Sequence, residues 1–289
     1  MPFTKKDALR QFENLQSRTG IKKVVSEIRK LDDVGRTIMI RAISEEMTQA
    51  KKERTMALLI SETQATDQKI RLLLQDAMTS SYVEGVNLAH RQLRQIRFKP
   101  VAGMPNLRNI SVAVIETSPD MKPHINAVNN LLSDAYLDFG NTMSGYNRGA
   151  ERILNDTLKR QIRSDIAVGR LQGTSVSEIK NIVKQEFADK GFTVLIDRGG
   201  RKWTLDHYSE MVARTHIIKA NNEAVINRAA DFGVDVVEII EPDPCTICQR
   251  YDGKIYSLSG KSDNYSKLVE QPPYHPNCRG SLLLRPDLQ

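Results

Sequence analysis

Residues 5–97 contain no proline and only three glycines, and this uninterrupted stretch constrains the fold more than any other feature of the sequence. Leu, Ile, Met, Lys, Glu and Gln are frequent in it, a composition that favours helices. One apolar stripe recurs with helical spacing, and we predict that it forms a buried face: Ile70, Leu73, Leu74, Ala77 and Met78. The stretch is therefore predicted to fold into two or three long helices.

The helical pattern is interrupted by four prolines between residues 98 and 123. Proline fixes its own backbone and lacks an amide donor, so we predict a loop here. The segment 110–117, which is rich in β-branched residues, is predicted to form one strand or an extended arm. Helical periodicity returns over residues 125–166, where Gly140 and Gly145 are predicted to separate two helices.

The pattern becomes mixed after residue 172. An S-x-x-E capping box at residues 175–178 predicts a helix that runs to Lys190. Beyond it we predict a hairpin formed by residues 192–196 and 201–204. A helix over residues 205–232, capped by Gly233, and a buried strand over residues 234–240 follow. A second hairpin turn is predicted at Asp252-Gly253.

Positive charge is concentrated in the first third of the chain. Residues 1–100 hold 19 Lys and Arg against 12 Asp and Glu, which accounts for the whole net charge of +7. Arg91, Arg94 and Arg97 recur at every third position and are followed by Lys99, so they line one side of a helix. This stripe is a candidate nucleic-acid-binding surface, since phosphate contact requires charge rather than a base-reading motif. A solvated helix face accounts for the stripe at least as well.

Several classes of protein do not fit the sequence. Residues 1–10 are charged where a signal peptide is apolar, and no segment approaches the ~20 apolar residues of a membrane span, so we expect no membrane anchor. The three cysteines all lie in the last 45 residues, which is not the distribution of a secreted disulfide scaffold and indicates folding in a reducing cytoplasm. The phosphate-binding motifs of ATPases and dinucleotide enzymes do not occur.

Two short pairs of soft ligands carry the clearest chemistry in the sequence. Cys245-Thr246-Ile247-Cys248 is a C-x2-C pair, and His275-Pro276-Asn277-Cys278 is an H-x2-C pair. Together they supply the Cys3His set of a structural zinc site, whose four protein ligands leave no position for a substrate. The alternatives are buried small residues or a reversible dithiol, but a dithiol does not explain His275 and Cys278.

An enzymatic alternative starts from Pro244 and the C-x2-C pair, which match half of the motif of zinc nucleobase deaminases. The other half, H-x-E, is missing. The glutamate of this motif stands two residues after the histidine, and that position is Ile218 after His216 and Ser209 after His207. His275 and Asn277 suggest an HNH-like nuclease, but a catalytic histidine and a metal-bound water cannot be placed. We therefore predict a protein that is not an enzyme and keep a deaminase-like or nuclease-like toxin as the rival interpretation.

An ordered run of short motifs covers residues 190–285. In order they are D-R-G-G-R-K-W at 197–203, E-M-V-A-R-T at 210–215, G-V-D-V-V-E at 233–238, the C-x2-C pair, D-G-K-I-Y-S at 252–257 and H-P-N-C-R at 275–279. This run resembles the minor capsid or head-morphogenesis proteins of tailed bacteriophages, including those similar to the F protein of phage Mu. Many relatives read H-P-N-C-R-C, whereas this chain has Gly280 at the last position, which favours Cys278 as the fourth ligand.

The resemblance implies a structural protein present in few copies inside the phage head, near the portal vertex, and incorporated during procapsid assembly. The partners it implies are the portal protein, the major capsid or scaffolding protein and, without sequence specificity, double-stranded DNA during packaging or ejection. Residues before 190 resemble the family only in their helical character. A cytoplasmic DNA-binding assembly factor that is absent from mature particles is a third interpretation.

The sequence thus predicts a predominantly helical α+β protein. An elongated helical N-terminal part, residues 1–172, precedes a small α+β module, residues 173–289, which contains the Cys3His zinc site. Trp203, Arg214 and Gly253 are predicted to have structural roles in this module. For Arg214 we expect an ion pair with an acidic neighbour, with three candidates: Asp197, Asp206 and Glu238.

Overall fold

The computed structural model describes residues 20–95, 111, 121–168, 193–196 and 200–289. Four long helices lie in these ranges: α1 Ile21–Ile43, α2 Gln49–Gln95, α3 Lys122–Val168 and α4 Leu205–Asp231. The strands are β1 Thr193–Ile196, β2 Lys202–Thr204, β3 Val236–Ile240, β4 Ile255–Ser257 and β5 Ser281–Leu284. The described part of the chain is mostly helical with small sheets, as predicted.

Helices α1 and α2 occupy the described part of the proline-free stretch. The predicted apolar stripe lies on α2, and its side chains are buried, except for Leu73, which is half-buried. The prediction of long helices with one buried face is therefore confirmed here. None of the helices in the described ranges is long and apolar enough to cross a bilayer.

The prediction that Gly140 and Gly145 separate two helices is wrong, because α3 runs through both positions without a break. A glycine inside a helix costs only about 1 kcal/mol relative to alanine. Phe139, Met143 and Tyr146 are buried around these glycines, and burial of one such side chain contributes about 1.5–3 kcal/mol. Packing therefore outweighs the local preference.

Several predicted features lie outside the described residues. They are the strand or arm at residues 110–117 apart from Ser111, the helix at residues 175–190, the turn at residues 197–199, the boundary between residues 172 and 173, and the side chains of Arg94, Arg97 and Lys99.

The chain forms two compact units, each assembled from segments that are distant in sequence. The first comprises Met1–Lys22, Leu73–Ala135 and Met211–Gln289, and the second comprises Lys23–Leu72 and Tyr136–Glu210. Helices α2, α3 and α4 each contribute residues to both units. All four predicted metal ligands belong to the first unit.

In the second unit, α1, α2 and α3 are joined by close packing and by hydrogen bonds. A Cβ on Gly35 would overlap the Tyr146 hydroxyl, so this glycine permits the close approach of two helices. Lys52 donates to Asn155 at 2.8 Å, and Asn147 donates to Thr63 at 3.0 Å.

The predicted hairpin before α4 is confirmed in its strands. In the second unit, β1 and β2 pair in antiparallel fashion, with Ile196 opposite Lys202 and Leu195 opposite Trp203. Trp203 is half-buried and makes an edge contact with Tyr208, with ring centroids 6.0 Å apart. This contact links the second strand of the hairpin to the first turns of α4.

The first unit is built around a three-stranded antiparallel sheet of order β4-β3-β5. Its core combines apolar side chains of α2, of α4 and the turn that follows it, of β3 and of β5: Leu88, Ala89, Leu93, Val225, Ala229, Phe232, Val237, Ile239, Leu282 and Leu284. The predicted cap of α4 is confirmed, since Gly233 has φ 65° and Val234 N–H bonds to the Ala229 carbonyl at 2.9 Å.

Side-chain amides cover the edge strand β5. The N–H of Leu282 donates to Asn222 Oδ1 at 3.3 Å, and the N–H of Leu284 donates to Gln92 Oε1 at 3.2 Å. Helices α4 and α2 therefore satisfy two backbone donors of β5 that the sheet itself leaves unpaired.

The turn at Asp252-Gly253 forms with Gly253 at φ 74°, but the predicted local hairpin is wrong. Strand β4 pairs with β3, with Val236 opposite Ser257. In the sequence, β3 precedes Cys245 and Cys248, whereas β4 follows them. The long connection between the two strands is closed at its base, where Gly253 N–H donates to the Ile239 carbonyl at 2.8 Å and Glu241 N–H donates to the Asp252 carboxylate at 2.9 Å. This connection carries the C-x2-C pair.

Candidate metal centre

The C-x2-C pair lies in a tight turn within the connection from β3 to β4. The N–H of Gln249 donates to the Cys245 carbonyl at 2.9 Å, and Cys248 begins a single turn of 3-10 helix. Backbone hydrogen bonds from Cys248 and from Ile247 lower the pKa of the exposed Cys245 thiol. Since the thiolate is the form that binds metal ions, this turn prepares Cys245 for coordination.

The H-x2-C pair forms a second tight turn just before β5. Asn277, between the two donors, adopts the left-handed conformation with φ 64°, and Cys278 N–H donates to the His275 carbonyl at 3.1 Å. His275 Nδ1 lies 2.8 Å from the Pro276 carbonyl and can donate to it. This bond leaves Nε2 as the nitrogen with a free lone pair, as in a metal-binding imidazole.

The two turns bring the predicted ligand atoms together. His275 Nε2 lies 3.1 Å from Cys245 Sγ and 2.9 Å from Cys248 Sγ, and the sulfurs of Cys248 and Cys278 are 3.8 Å apart. A tetrahedral zinc ion with ~2.3 Å bonds separates two sulfurs by about 3.8 Å. The cluster of Cys245, Cys248, His275 and Cys278 can therefore bind a metal ion.

One further candidate donor, Glu241, was not predicted. The possible ligand atoms form two overlapping groups, Cys245 with Cys248 and His275, and Glu241 with Cys248 and Cys278, and those of each group lie within 4.8 Å of one another. Cys278 Sγ donates to Glu241 Oε1 at 3.2 Å. Nothing in the sequence spacing marks Glu241, which simply follows a buried strand.

Burial distinguishes the inner donors from the outer ones. Cys245 is exposed, whereas burial raises the pKa of the Cys248 and Cys278 thiols and of the Glu241 carboxyl. Thiols and carboxyls that are costly to ionise in isolation become favourable as anions when they share a divalent cation. The donor set thus fits a divalent cation, which would offset the charge of these groups once they are ionised.

Helix α4 holds the second turn in place. Asn222 Nδ2 donates to the Pro272 carbonyl at 3.1 Å and to the Gly280 carbonyl at 3.0 Å, so a single side chain joins both ends of the segment that carries His275 and Cys278. Arg214 Nη1 donates to Asn277 Oδ1 at 3.2 Å, a contact that the sequence did not predict.

The other histidines do not join this cluster. His124 lies between the Tyr82 hydroxyl at 2.9 Å and the Asp231 carboxylate at 3.0 Å, and Arg228 donates to the same carboxylate at 2.9 Å. All four side chains are buried. The network cross-links α2, α3 and α4 inside the first unit.

The remaining predicted residues lie at separate places. Arg91 is exposed on α2, and the backbone of Arg94 continues the same helix. Gly253 occupies the turn before β4, where its positive φ favours glycine. Trp203 belongs to the second unit, whereas the candidate ligands belong to the first.

The chain also matches a known family over most of its length. The family model described as phage minor capsid protein 2 matches residues 39–279. No match is found among curated proteins or among solved structures. The matched range includes the complete Cys/His cluster and most of the described helices, and it confirms the expected relationship to phage minor capsid proteins. The chain therefore belongs to the phage minor capsid protein 2 family.

Proposed function

We propose that this protein is a structural component of a tailed-phage head that acts in head morphogenesis at or near the portal vertex. The family match over residues 39–279 carries the proposal. Within the virion, its partners are the portal protein and the major capsid or scaffolding protein. The excess of basic residues before residue 100, including the exposed Arg91, supports non-specific contact with packaged DNA.

We further propose that Cys245, Cys248, His275 and Cys278 bind one structural Zn²⁺ ion. The ion joins the connection that follows β3 to the segment that precedes β5. These two strands are neighbours in the three-stranded sheet. Because the protein itself supplies the ligands, the ion stabilises the fold and leaves no position for a substrate. This arrangement supports a structural role over the rival deaminase-like or nuclease-like toxin.

Complementation of a phage that lacks this gene tests the structural role. Cys248→Ala and Cys278→Ala each remove a buried ligand, and we expect few or no infectious particles and little of the variant chain in purified heads. Thr246→Ala, in the same turn but without a ligand atom, is the matched control and should behave as wild type. Normal heads formed without the protein, or its absence from wild-type heads by mass spectrometry, would contradict the proposal.

Position and metal content need separate measurements. Cross-linking within purified heads should connect this chain to the portal protein, and a distribution over the whole shell would refute the portal assignment.

Protein purified without chelators should contain about one zinc per chain, and a much lower content with unchanged thermal stability would refute the zinc centre. Nucleic-acid turnover that requires Asn277 would favour the toxin interpretation instead.

A further inference from the structure

Glu241 is a buried carboxylate at the inner side of the Cys/His cluster. Its side chain is 1% exposed, and those of Cys248 and Cys278 are 1% and 2% exposed. Its Oε1 accepts a hydrogen bond from Cys278 Sγ at 3.2 Å. The possible ligand atoms of these three residues all lie within 4.8 Å of one another.

No lysine or arginine pairs with this carboxylate within the described part of the chain. Glu241 has no hydrogen bond or ion pair with a lysine or arginine there, and its own N–H is bound to another acidic residue, Asp252. A buried carboxylate requires either a cation or a complete set of hydrogen-bond donors. When Cys278 becomes a metal-bound thiolate, it also loses the proton that it donates to Glu241.

Gly280 provides the space that the carboxylate occupies. A Cβ at position 280 would overlap Glu241 Oε1 and would also crowd the Pro272 ring. The side-chain-free backbone of Gly280 therefore lets the carboxylate reach the sulfur of Cys278. The carboxylate is buried, whereas Cys245 is exposed.

We propose that Glu241 is a direct ligand of the metal ion. Its Oε1 binds the ion from the buried side, next to Cys248 and Cys278, while Cys245 and His275 bind it from the outer side. The donor set then consists of three sulfurs, one nitrogen and one carboxylate oxygen. The ion would supply a direct counter-charge to the buried carboxylate. This inference rests on the proposed metal centre and adds a fifth donor to it.

Cobalt substitution tests the coordination directly, because the visible absorption of Co²⁺ is weaker for five ligands than for four. We expect the wild-type, full-length protein loaded with Co²⁺ to give the weaker five-coordinate spectrum. Glu241→Gln should shift it to the stronger four-coordinate spectrum and lower the metal affinity by about tenfold. Glu238→Gln makes the same chemical change in the preceding strand β3, where Glu238 bonds to Arg285, and should leave the spectrum unchanged.

The possible results separate this inference from the metal centre itself. Equal spectra and affinities for wild type and Glu241→Gln would overturn the role of Glu241 and leave the Cys3His site intact. Failure of the wild type to bind one equivalent of Co²⁺ or Zn²⁺ would overturn the site as a whole. If Glu241→Gln does not fold, X-ray absorption of the wild-type zinc protein decides: three sulfurs with two lighter ligands support the inference, and three sulfurs with one lighter ligand overturn it.

Discussion

Arg214 on α4 donates a hydrogen bond of 3.2 Å to the side chain of Asn277, the residue that makes the left-handed turn between His275 and Cys278. The contact connects the long helix of the first unit to the second ligand pair. Side chains that orient metal ligands from outside the coordination shell commonly change metal affinity by 10- to 100-fold.

Replacement of Arg214 should therefore weaken metal binding without unfolding the protein. We expect Arg214→Gln to lower zinc affinity by about tenfold, because Asn277 loses a partner that fixes its turn. Competition with a chromophoric chelator measures this affinity. Lys219→Gln on the same helix is the control, and an Arg214→Gln affinity equal to that of the control would show that the contact does not position the ligands.

Replacement of Asn222 should destabilise the first unit. In Asn222→Asp, a carboxylate oxygen replaces the amide that donates to the Pro272 and Gly280 carbonyls. The loss of two buried hydrogen bonds should lower the free energy of unfolding by about 1–3 kcal/mol. Urea denaturation measures the change, and Asn264→Asp in an exposed loop is the control. A loss no larger than that of the control would contradict the bridging role of Asn222.

The stability that Asp235 contributes should depend on pH. Burial acts to raise the pKa of Asp235, but hydrogen bonds from the Ser257 hydroxyl and the Ser259 backbone outweigh it and hold the pKa below its ordinary value. A carboxyl with a depressed pKa in the folded state stabilises the protein above its unfolded pKa of about 4, and the contribution is lost as the pH falls through the folded pKa.

We therefore expect the stability difference between wild type and Asp235→Asn to be larger at pH 6 than at pH 3. Urea midpoints measured at several pH values test this, with Asp263→Asn at an exposed position as the control. A difference that stays constant over this range would show that ionisation of Asp235 does not stabilise the fold.

The buried network around Tyr82 should contribute measurably to stability. The Tyr82 hydroxyl is 2.9 Å from His124 and accepts a hydrogen bond from Asn227 at 2.8 Å. Tyr82→Phe removes that oxygen from the buried His124 and the half-buried Asn227, and we expect a loss of about 1–3 kcal/mol in the free energy of unfolding. Tyr265→Phe, at a partly exposed position, is the control for thermal or urea denaturation. Equal stabilities would show that the network is replaceable.

Features that depend on near neighbours in sequence could be predicted. The buried stripe on α2 follows from helical spacing, and the end of α4 follows from Gly233. Within the C-x2-C pair and within the H-x2-C pair, the short spacing predicts a tight turn. In each case the spacing along the chain limits the possible structures to very few.

Features that depend on distant neighbours could not be predicted. Gly140 lies within a continuous helix because of tertiary packing, and β4 pairs with a strand that precedes both cysteines. Glu241 contacts Cys278, which lies 37 residues later in the sequence, and Asn222 contacts Gly280, which lies 58 residues later. Such contacts leave no local periodicity in the sequence, so only the folded chain identifies them.

The capped edge of β5 restricts how neighbouring proteins can associate with this one. Asn222 and Gln92 already occupy the backbone donors through which a foreign strand would extend the sheet. An incoming β-strand would have to displace both amides, which disfavours fibre-like stacking of copies at that edge. Association with other head proteins at this edge therefore depends on side-chain surfaces rather than on continuation of this sheet past β5.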